Sequence, residues 1–272
     1  MRRFRWVVLG LATTMQVGLS LPQQTPAAIG PILIGSLHLS HAELGLLTSA
    51  IWGGMLLGML PAGMLTDRVG ERFVTLGGAV VLTAFLFLAS RAGSFTPLFL
   101  LLVPAAVGAA TGSPGGTRAL AAWFPPAQQG MAMGIRQTGV TVAGVITAVS
   151  LPPIAVAVGW PAAFQTVAIL ALLSVALFSA FYREPAPRES VTSPFRLREL
   201  VRSRPWLFAT AFGWVFMGVL GSVVAYTASS LHQDAGLGAV AAGLMVALLQ
   251  AGGAAGRIGW GVLSDRLGAR GP

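Results

Sequence analysis

A short motif occurs twice in this chain, and each copy ends a long apolar stretch. The first copy, Gly63–Arg72, reads GMLTDRVGER, and the second, Gly261–Arg270, reads GVLSDRLGAR. Their aspartates, Asp67 and Asp265, are 198 residues apart. An offset of that length indicates an internal repeat several helices long. Glycines that share the offset and predict close helix packing are Gly54, Gly58 and Gly63 with Gly252, Gly256 and Gly261.

The composition favours a membrane as the solvent of the chain. Hydrophobic residues make up 55% of it and charged residues only 9%, and the mean hydropathy is +0.77. An ordinary soluble domain has about 25% charged residues. The net charge of +9 does not indicate nucleic acid binding, because the arginines separate apolar stretches and form no basic groove. The chain has no cysteine, which excludes a disulfide framework and a thiolate metal site.

Eight segments are long enough to cross a bilayer, since a spanning helix needs about 20 apolar residues. None has the polar stripe of a water-soluble helix. The basic start, Arg2 to Arg5, resembles that of a signal peptide, but the apolar run continues to Ile34 without a small-residue cleavage site. We therefore predict a retained first span. The predicted spans are 6–36, 43–66, 73–91, 96–123, 130–157, 160–182, 205–231 and 237–264.

The distribution of arginine predicts the orientation of these spans. In an eight-span arrangement, the arginines between spans fall on one side of the membrane, and only Arg91 falls on the other. The positive-inside bias places the arginine-rich side in the cytoplasm. We expect a multi-pass protein of the plasma (cell inner) membrane with both ends of this chain, and both copies of the motif, in the cytoplasm.

A Gly-x-x-x-Asp-Arg-x-Gly-x-Arg turn between two membrane helices resembles the cytoplasmic loop motif of the major facilitator superfamily, which recurs once in each half of those transporters. The resemblance implies an all-α polytopic bundle with a six-helix half at 1–182 and a cytoplasmic linker at 183–204. The segment 205–272 would then be the first two helices of the second half. We expect a truncated sequence that lacks the last four helices.

The resemblance gives the motif a role in holding the outward-facing state. A carboxylate at a helix end can accept hydrogen bonds from the N-terminal amides of a neighbouring helix or pair with an arginine. The alternative is an ordinary charged turn that helps to set the topology, and the repetition disfavours it. The expected gating residues are Gly63, Asp67, Arg68, Gly70, Arg72, Gly261, Asp265, Arg266, Gly268 and Arg270.

Polar side chains inside the predicted spans are the candidate substrate ligands, because a buried charge in a bilayer needs a partner. No Asp or Glu lies in the middle of a span, which leaves an anionic substrate as the counter-charge. Structural roles are the alternative, and for Arg118, which can snorkel or pair with Asp67, the structural role is favoured. The candidates are Gln16, Gln23, Gln24, Arg118, Arg136, Gln137, Gln250 and Arg257.

The segment from Arg118 to Gly139 is similar to the junction of the fourth and fifth helices in branches of the superfamily that handle organic anions, cyanate and nitrate. Gln128 and Gln129 replace the usual basic residues of that loop. We therefore expect a secondary active transporter, a symporter or antiporter, that moves a small organic or inorganic anion by alternating access. Drug or metabolite efflux by proton antiport is the alternative.

Other classes of function fit the sequence less well. An enzyme is not expected, since the chain has no Gly-x-Ser-x-Gly turn, His-Glu-x-x-His helix or nucleotide-binding loop. A non-transporting membrane interaction protein or an inactive fragment stays open. The expected partners are a small-molecule substrate, a coupling ion and the lipid bilayer, with no nucleic acid, no cofactor and no metal, and the full-length protein should be a monomer. His38, His41 and His232 are interpreted as plain loop histidines.

Overall fold

The computed structural model of the protein describes residues 3–183, 202–216, 219 and 239–267. Within these residues the chain forms helices and no strand. Residues 204–216 are helical, and Pro126–Gln128 form a single 3-10 turn. The remaining helices are α1 (Phe4–Ala28), α2 (Gly30–Leu37), α3 (His41–Val69), α4 (Glu71–Ala89), α5 (Phe95–Ala110), α6 (Gly112–Trp123), α7 (Gln129–Val158), α8 (Trp160–Phe181) and α9 (Ala239–Leu267).

Six helical segments of the described chain are long and apolar enough to cross a membrane, with α5 and α6 counted as one segment. They correspond to the first six predicted spans, and the all-α polytopic fold class is confirmed. α9 covers residues 239–264 of the eighth predicted span, 237–264, and it is not among these six segments. Most of the seventh span and of the predicted linker lie outside the described residues, so the division at 183–204 stays a prediction.

The first span differs from the single helix predicted over 6–36. α1 ends at Ala28, and Ile29 leaves the helical region, with φ −112° and ψ 17°, before α2 begins at Gly30. Pro31 accounts for the break, because it has no N–H for the carbonyl of Ala27 and its ring clashes with that carbonyl. The fourth span is also divided, at Thr111, three residues before Pro114.

The core is built around α1, which packs against α7 on one side and α8 on another. Val8, Ala12 and Met15 of α1 are fully buried. α3 packs against α5, where carbons added at Gly54 and Gly58 would come within 2.9 Å of the side chains of Ala106 and Ala110. Large apolar side chains on the outer faces stay exposed, as a bilayer solvent allows: Leu56, Val149 and Val156 are at least 70% exposed.

Two compact units are present: Met1–Pro185 with Ala254–Pro272, and Ala186–Gly253. The last 14 described residues of α9, 254–267, therefore belong to the first unit. Asp67 lies in the last turn of α3, and Asp265 lies in the last turn of the part of α9 that the structure describes.

Candidate functional site

Arg136 of α7 lies inside the first unit, with only 3% of the residue exposed. Its Nε and Nη2 atoms donate to Gln16 Oε1 of α1 at 3.1 and 2.7 Å. Nη1 donates to Thr117 Oγ1 of α6 at 2.9 Å, and Nη2 reaches the Ser113 carbonyl at 3.4 Å. Two helices, α1 and α6, therefore supply these partners of the guanidinium. We call Gln16, Ser113, Thr117 and Arg136 the arginine cluster.

All the partners of Arg136 are neutral. In the part of the chain that the structure describes, no carboxylate lies within ion-pair distance of it. The four described acidic residues, Glu43, Asp67, Glu71 and Asp265, lie at helix ends. Because moving an uncompensated charge out of water costs several kcal/mol, the cluster favours a bound anion. Thr117 is exposed, so the cluster reaches an open face of the unit.

Gly116 of α6 makes room for the guanidinium. A carbon added at Gly116 would lie 2.9 Å from Arg136 Nε and 3.0 Å from Arg136 Cζ. A residue larger than glycine would therefore displace the charged group. Gly116, Ser113 and Thr117 carry no distinctive signal in the sequence, because glycine, serine and threonine are ordinary in a membrane helix.

Arg257 of α9 donates to Thr141 Oγ1 of α7. Thr141 lies on a different face of α7 from Arg136. Arg136 and Thr141 are five residues apart, which is about 140° around an α-helix. The structure records no contact between Arg257 and the arginine cluster among the described residues. Arg136 and Arg257, both predicted as substrate ligands, therefore have separate hydrogen-bond partners in the described chain.

The remaining candidate ligands are dispersed. Gln23 is buried and Gln24 is half-buried on α1, both about two turns beyond Gln16 toward the end of the helix, and Gln137 is exposed on α7. The side chain of Gln250 lies outside the described residues. None of these glutamines shares a hydrogen bond with Arg136 in the described chain.

Arg118 lies with the first copy of the motif. Its Nη1 donates to Asp67 Oδ1 at 2.9 Å and to the Thr66 carbonyl at 3.0 Å, and its Nε lies 3.2 Å from Glu71 Oε1. Glu71 is buried, whereas the side chain of Asp67 is 78% exposed. This geometry matches the structural role favoured for Arg118. Glu71 was visible in the motif but was not singled out, since glutamate at a loop position is usually solvated.

Asp265 binds the start of α7. Its Oδ1 accepts from the N–H of Gly130 and its Oδ2 from the N–H of Met131, both at 2.8 Å. These N–H groups belong to the first turn of α7 and therefore have no acceptor within the helix itself. The carboxylate satisfies two donors and faces the positive end of the helix dipole. Asp67 and Asp265, equivalent in sequence, thus have different partners.

Close backbone contact between α7 and α9 brings Asp265 to this position. A carbon added at Gly261 would lie 2.7 Å from the carbonyl carbon of Gly130, and one added at Gly134 would lie 3.0 Å from the carbonyl carbon of Arg257. Only glycine permits this approach. Carbons added at Gly63, Gly252 and Gly256 meet nothing within 4 Å in the described chain, so the packing role of those three stays a prediction.

The other motif residues lie at the turn or outside it. Gly70 links α3 to α4 with φ 93°, a conformation that favours glycine. Arg68, Arg72 and Arg266 are exposed. Gly268 and Arg270 lie outside the described residues, and so does His232.

A model of the Major Facilitator Superfamily matches residues 8–272 of the chain. An uncharacterized MFS-type transporter of Mycobacterium tuberculosis is 30% identical over 85% of this chain and 52% of its own length. A probable sulfoacetate transporter of Cupriavidus necator is 25% identical over 97% of this chain and 65% of its own length. The chain therefore spans about half to two thirds of the length of these relatives.

Solved structures have the same fold. A bacterial homologue of the human lysosomal transporter Spinster, in an inward-facing and unoccupied conformation, superposes with a TM-score of 0.67. The match covers 99% of this chain and 61% of the other, at 19% identity. At that identity the likeness concerns the fold alone.

Proposed function

This chain belongs to the major facilitator superfamily, and the relatives described above are named as transporters. We propose that it contributes to the movement of a small anion across the plasma membrane. The proposed mechanism is secondary active transport by alternating access, with energy from a solute or ion gradient. The proposed domain division is 1–182, a linker at 183–204 and 205–272, with both ends in the cytoplasm.

The observation that carries this proposal is the buried guanidinium of Arg136 with neutral partners only. Five N–H groups in a planar fork match a carboxylate, sulfonate or phosphate. A bound anion would replace the Gln16 oxygen or share its donors, and would neutralise the charge. A cationic substrate has no such counterpart here, since the described acids lie at helix ends. The relative named as a probable sulfoacetate transporter is in keeping with an anionic substrate.

The other candidate ligands take secondary places in this proposal. Gln16 orients Arg136, and Gln23, Gln24 and Gln137 extend the polar path along α1 and α7. Arg257 and Gln250, both on α9, are proposed to contact the substrate at a later stage of its path. Arg118 is proposed as part of the gate, through Asp67 and Glu71.

Asp265 is proposed as a latch that closes one side of the transport path. Its two hydrogen bonds join α9 to α7 across 135 residues of sequence. Opening that side requires the carboxylate to leave the α7 N-terminus, where water must then solvate both groups. A charge at a helix N-terminus contributes about 0.3–2 kcal/mol, which is enough to shift a two-state equilibrium several-fold.

Asp265→Asn should change transport more than Asp67→Asn does. Asparagine has one side-chain oxygen, so it can replace only one of the two oxygens that accept from the α7 N–H groups, and the negative charge facing the helix dipole is lost. We therefore expect about a fivefold change in the transport rate. Asp67 is mostly exposed, and an exposed ion pair contributes about 0–1 kcal/mol. Initial uptake rates in vesicles, normalised to inserted protein, provide the measurement. Equal effects of the two variants would remove the latch role from Asp265.

Transport itself is tested with reconstituted vesicles. Labelled sulfoacetate and a cationic dye such as ethidium are offered separately, under an imposed proton gradient and without one, with protein-free vesicles as the blank. We expect saturable entry of the anion and no entry of the dye. Proton-driven movement of the dye alone would instead support drug efflux by antiport. Movement of neither, from a panel of small anions and cations, would favour a non-transporting role.

A further inference from the structure

Arginines and aromatic rings form a patch at one end of the first unit, where α1 begins and α6 and α8 end. The guanidinium of Arg5 lies 5.5 Å from the ring centre of Trp6 and 5.6 Å from that of Phe124. Arg183 lies 5.5 Å from the ring centre of Phe4. We call this set the arginine–aromatic patch: Phe4, Arg5, Trp6, Trp123, Phe124 and Arg183.

The rings hold each other in place. Phe4 and Trp123 have ring centres 5.0 Å apart, and Trp6 meets Phe124 edge to face at 5.7 Å. The indole N–H of Trp123 donates to the Arg183 carbonyl at 3.2 Å. Trp and Tyr in such positions are typical of the membrane–water interface, where one end of the side chain is apolar and the other is polar.

The positive charge of the patch has no acidic partner in the described chain. Arg5 Nε is buried and has no hydrogen-bond partner there. The acids at the same end of the unit are engaged elsewhere: Asp67 and Glu71 contact Arg118, and Asp265 binds the start of α7. The patch therefore favours an anionic group, and its place beside rings favours one at a bilayer surface.

A groove of about 520 Å³ begins at the patch and follows α1. Trp6, Gly10 and Val17 of α1 and Ile135 and Val142 of α7 line it, and most of its surface is apolar. Trp6 belongs to both the patch and the groove. A second groove of about 280 Å³ shares Thr14 and Val17 and continues along α8, past Leu170, Leu173 and Leu177. These three leucines are 40–60% exposed.

The length of the first groove matches one leaflet of a bilayer. From Trp6 to Val17 the helix axis rises about 17 Å, at about 1.5 Å per residue. Half of the hydrocarbon core is about 15 Å thick. An acyl chain anchored at the level of Arg5 would therefore lie along the groove without leaving its leaflet.

We propose that this surface binds one anionic phospholipid, with its phosphate headgroup on Arg5 and Arg183 and an acyl chain in the groove between α1 and α7. The phosphate of the headgroup accepts a hydrogen bond from Arg5 Nε, and the acyl chain covers the apolar groove. The site is separate from the arginine cluster of the proposed transport path, and its test does not depend on transport.

Two variants separate the headgroup from the chain. Arg5→Gln removes one charge and should lower the preference for an anionic lipid about fivefold, the effect expected for one basic residue near a charged bilayer surface. Gly10→Phe should fill the groove without disturbing the fold, since a carbon added at Gly10 meets nothing within 4 Å. It should lower the binding of anionic and zwitterionic lipids alike.

Matched controls are available elsewhere in the chain. Gly77 on α4 is also open within 4 Å and lies outside the groove, so Gly77→Phe should bind lipid as the wild type does. Arg91 is exposed in the turn after α4, and Arg91→Gln controls for the loss of one positive charge.

Native mass spectrometry of the purified protein, titrated with phosphatidylglycerol or phosphatidylcholine of identical acyl chains, counts the bound lipids. We expect the wild type to retain phosphatidylglycerol preferentially, and millimolar inorganic phosphate not to displace it. Wild-type binding in both Arg5→Gln and Gly10→Phe would overturn the proposal. Displacement by inorganic phosphate, with no effect of Gly10→Phe, would mean that the arginines bind a soluble anion, and the lipid site would be wrong.

Discussion

Replacing Arg136 with glutamine is expected to reduce anion uptake by roughly 10- to 100-fold, the factor that corresponds to losing a hydrogen-bonded charge pair. Glutamine keeps a polar side chain but removes the guanidinium that Gln16, Ser113 and Thr117 hold in place. Insertion into the membrane should be unaffected, because a neutral side chain is easier to bury than an arginine. Initial rates of labelled sulfoacetate uptake, per inserted protein, measure the effect.

Two further substitutions show what Arg136 contributes. Arg136→Lys retains the charge without the planar fork of N–H donors. Partial uptake activity would indicate that the charge suffices, and almost no activity would indicate that bidentate binding is required. Arg91→Gln removes an exposed arginine in the turn after α4 and should leave uptake unchanged. If Arg136→Gln transports the anion at the wild-type rate, the arginine is a packing residue and the proposed substrate class loses its basis.

Gly261→Leu is expected to separate α9 from α7 and to lower the midpoint of thermal unfolding by roughly 5–10 °C. A carbon at this position would lie 2.7 Å from the carbonyl carbon of Gly130 and 3.1 Å from the nitrogen of Met131. Both neighbours are backbone and cannot rotate away. The same displacement would pull Asp265 from the N–H groups that it accepts from.

Gly259 provides the matched control on the same helix. A carbon added there meets nothing within 4 Å, so Gly259→Leu should be neutral or slightly stabilising, since leucine has a better helix propensity than glycine. Thermal unfolding of the purified protein, followed by tryptophan fluorescence, compares the two variants. Equal midpoints for Gly261→Leu and Gly259→Leu would contradict the close contact of α7 and α9.

Much of the fold follows from hydropathy alone, because a bilayer admits few alternatives to a long apolar helix. The first six spans were predicted within a few residues, apart from the two breaks. Asp67 and Asp265 both lie near the C-terminal end of what is described of α3 and α9, and the repeat itself stays a prediction. Pro31 and Pro114 carried a local signal for the breaks, but proline also occurs in continuous helices here, such as α3 with Pro61.

The candidate site was less predictable, since it depends on which faces of different helices meet. Arg136 and Arg257 looked equivalent in the sequence, but Arg136 of α7 donates to α1 and α6, whereas Arg257 of α9 donates to Thr141 on another face of α7. Likewise, Asp67 pairs with Arg118 whereas Asp265 binds backbone N–H groups. The sequence left both kinds of partner open for each aspartate, because backbone N–H groups have no side-chain pattern that shows which helix supplies them.

The distance of 135 residues between Gly130 and Asp265 has a consequence for biosynthesis. At about 5–20 residues per second, a ribosome needs roughly 7–27 s to extend the chain from one to the other. During that interval α7 can already have entered the bilayer, although Asp265, which accepts from the two N–H groups of its first turn, has not yet been synthesised. For several seconds, the N-terminus of α7 in the nascent protein is therefore accessible to water, lipid headgroups or chaperones, until Asp265 binds it.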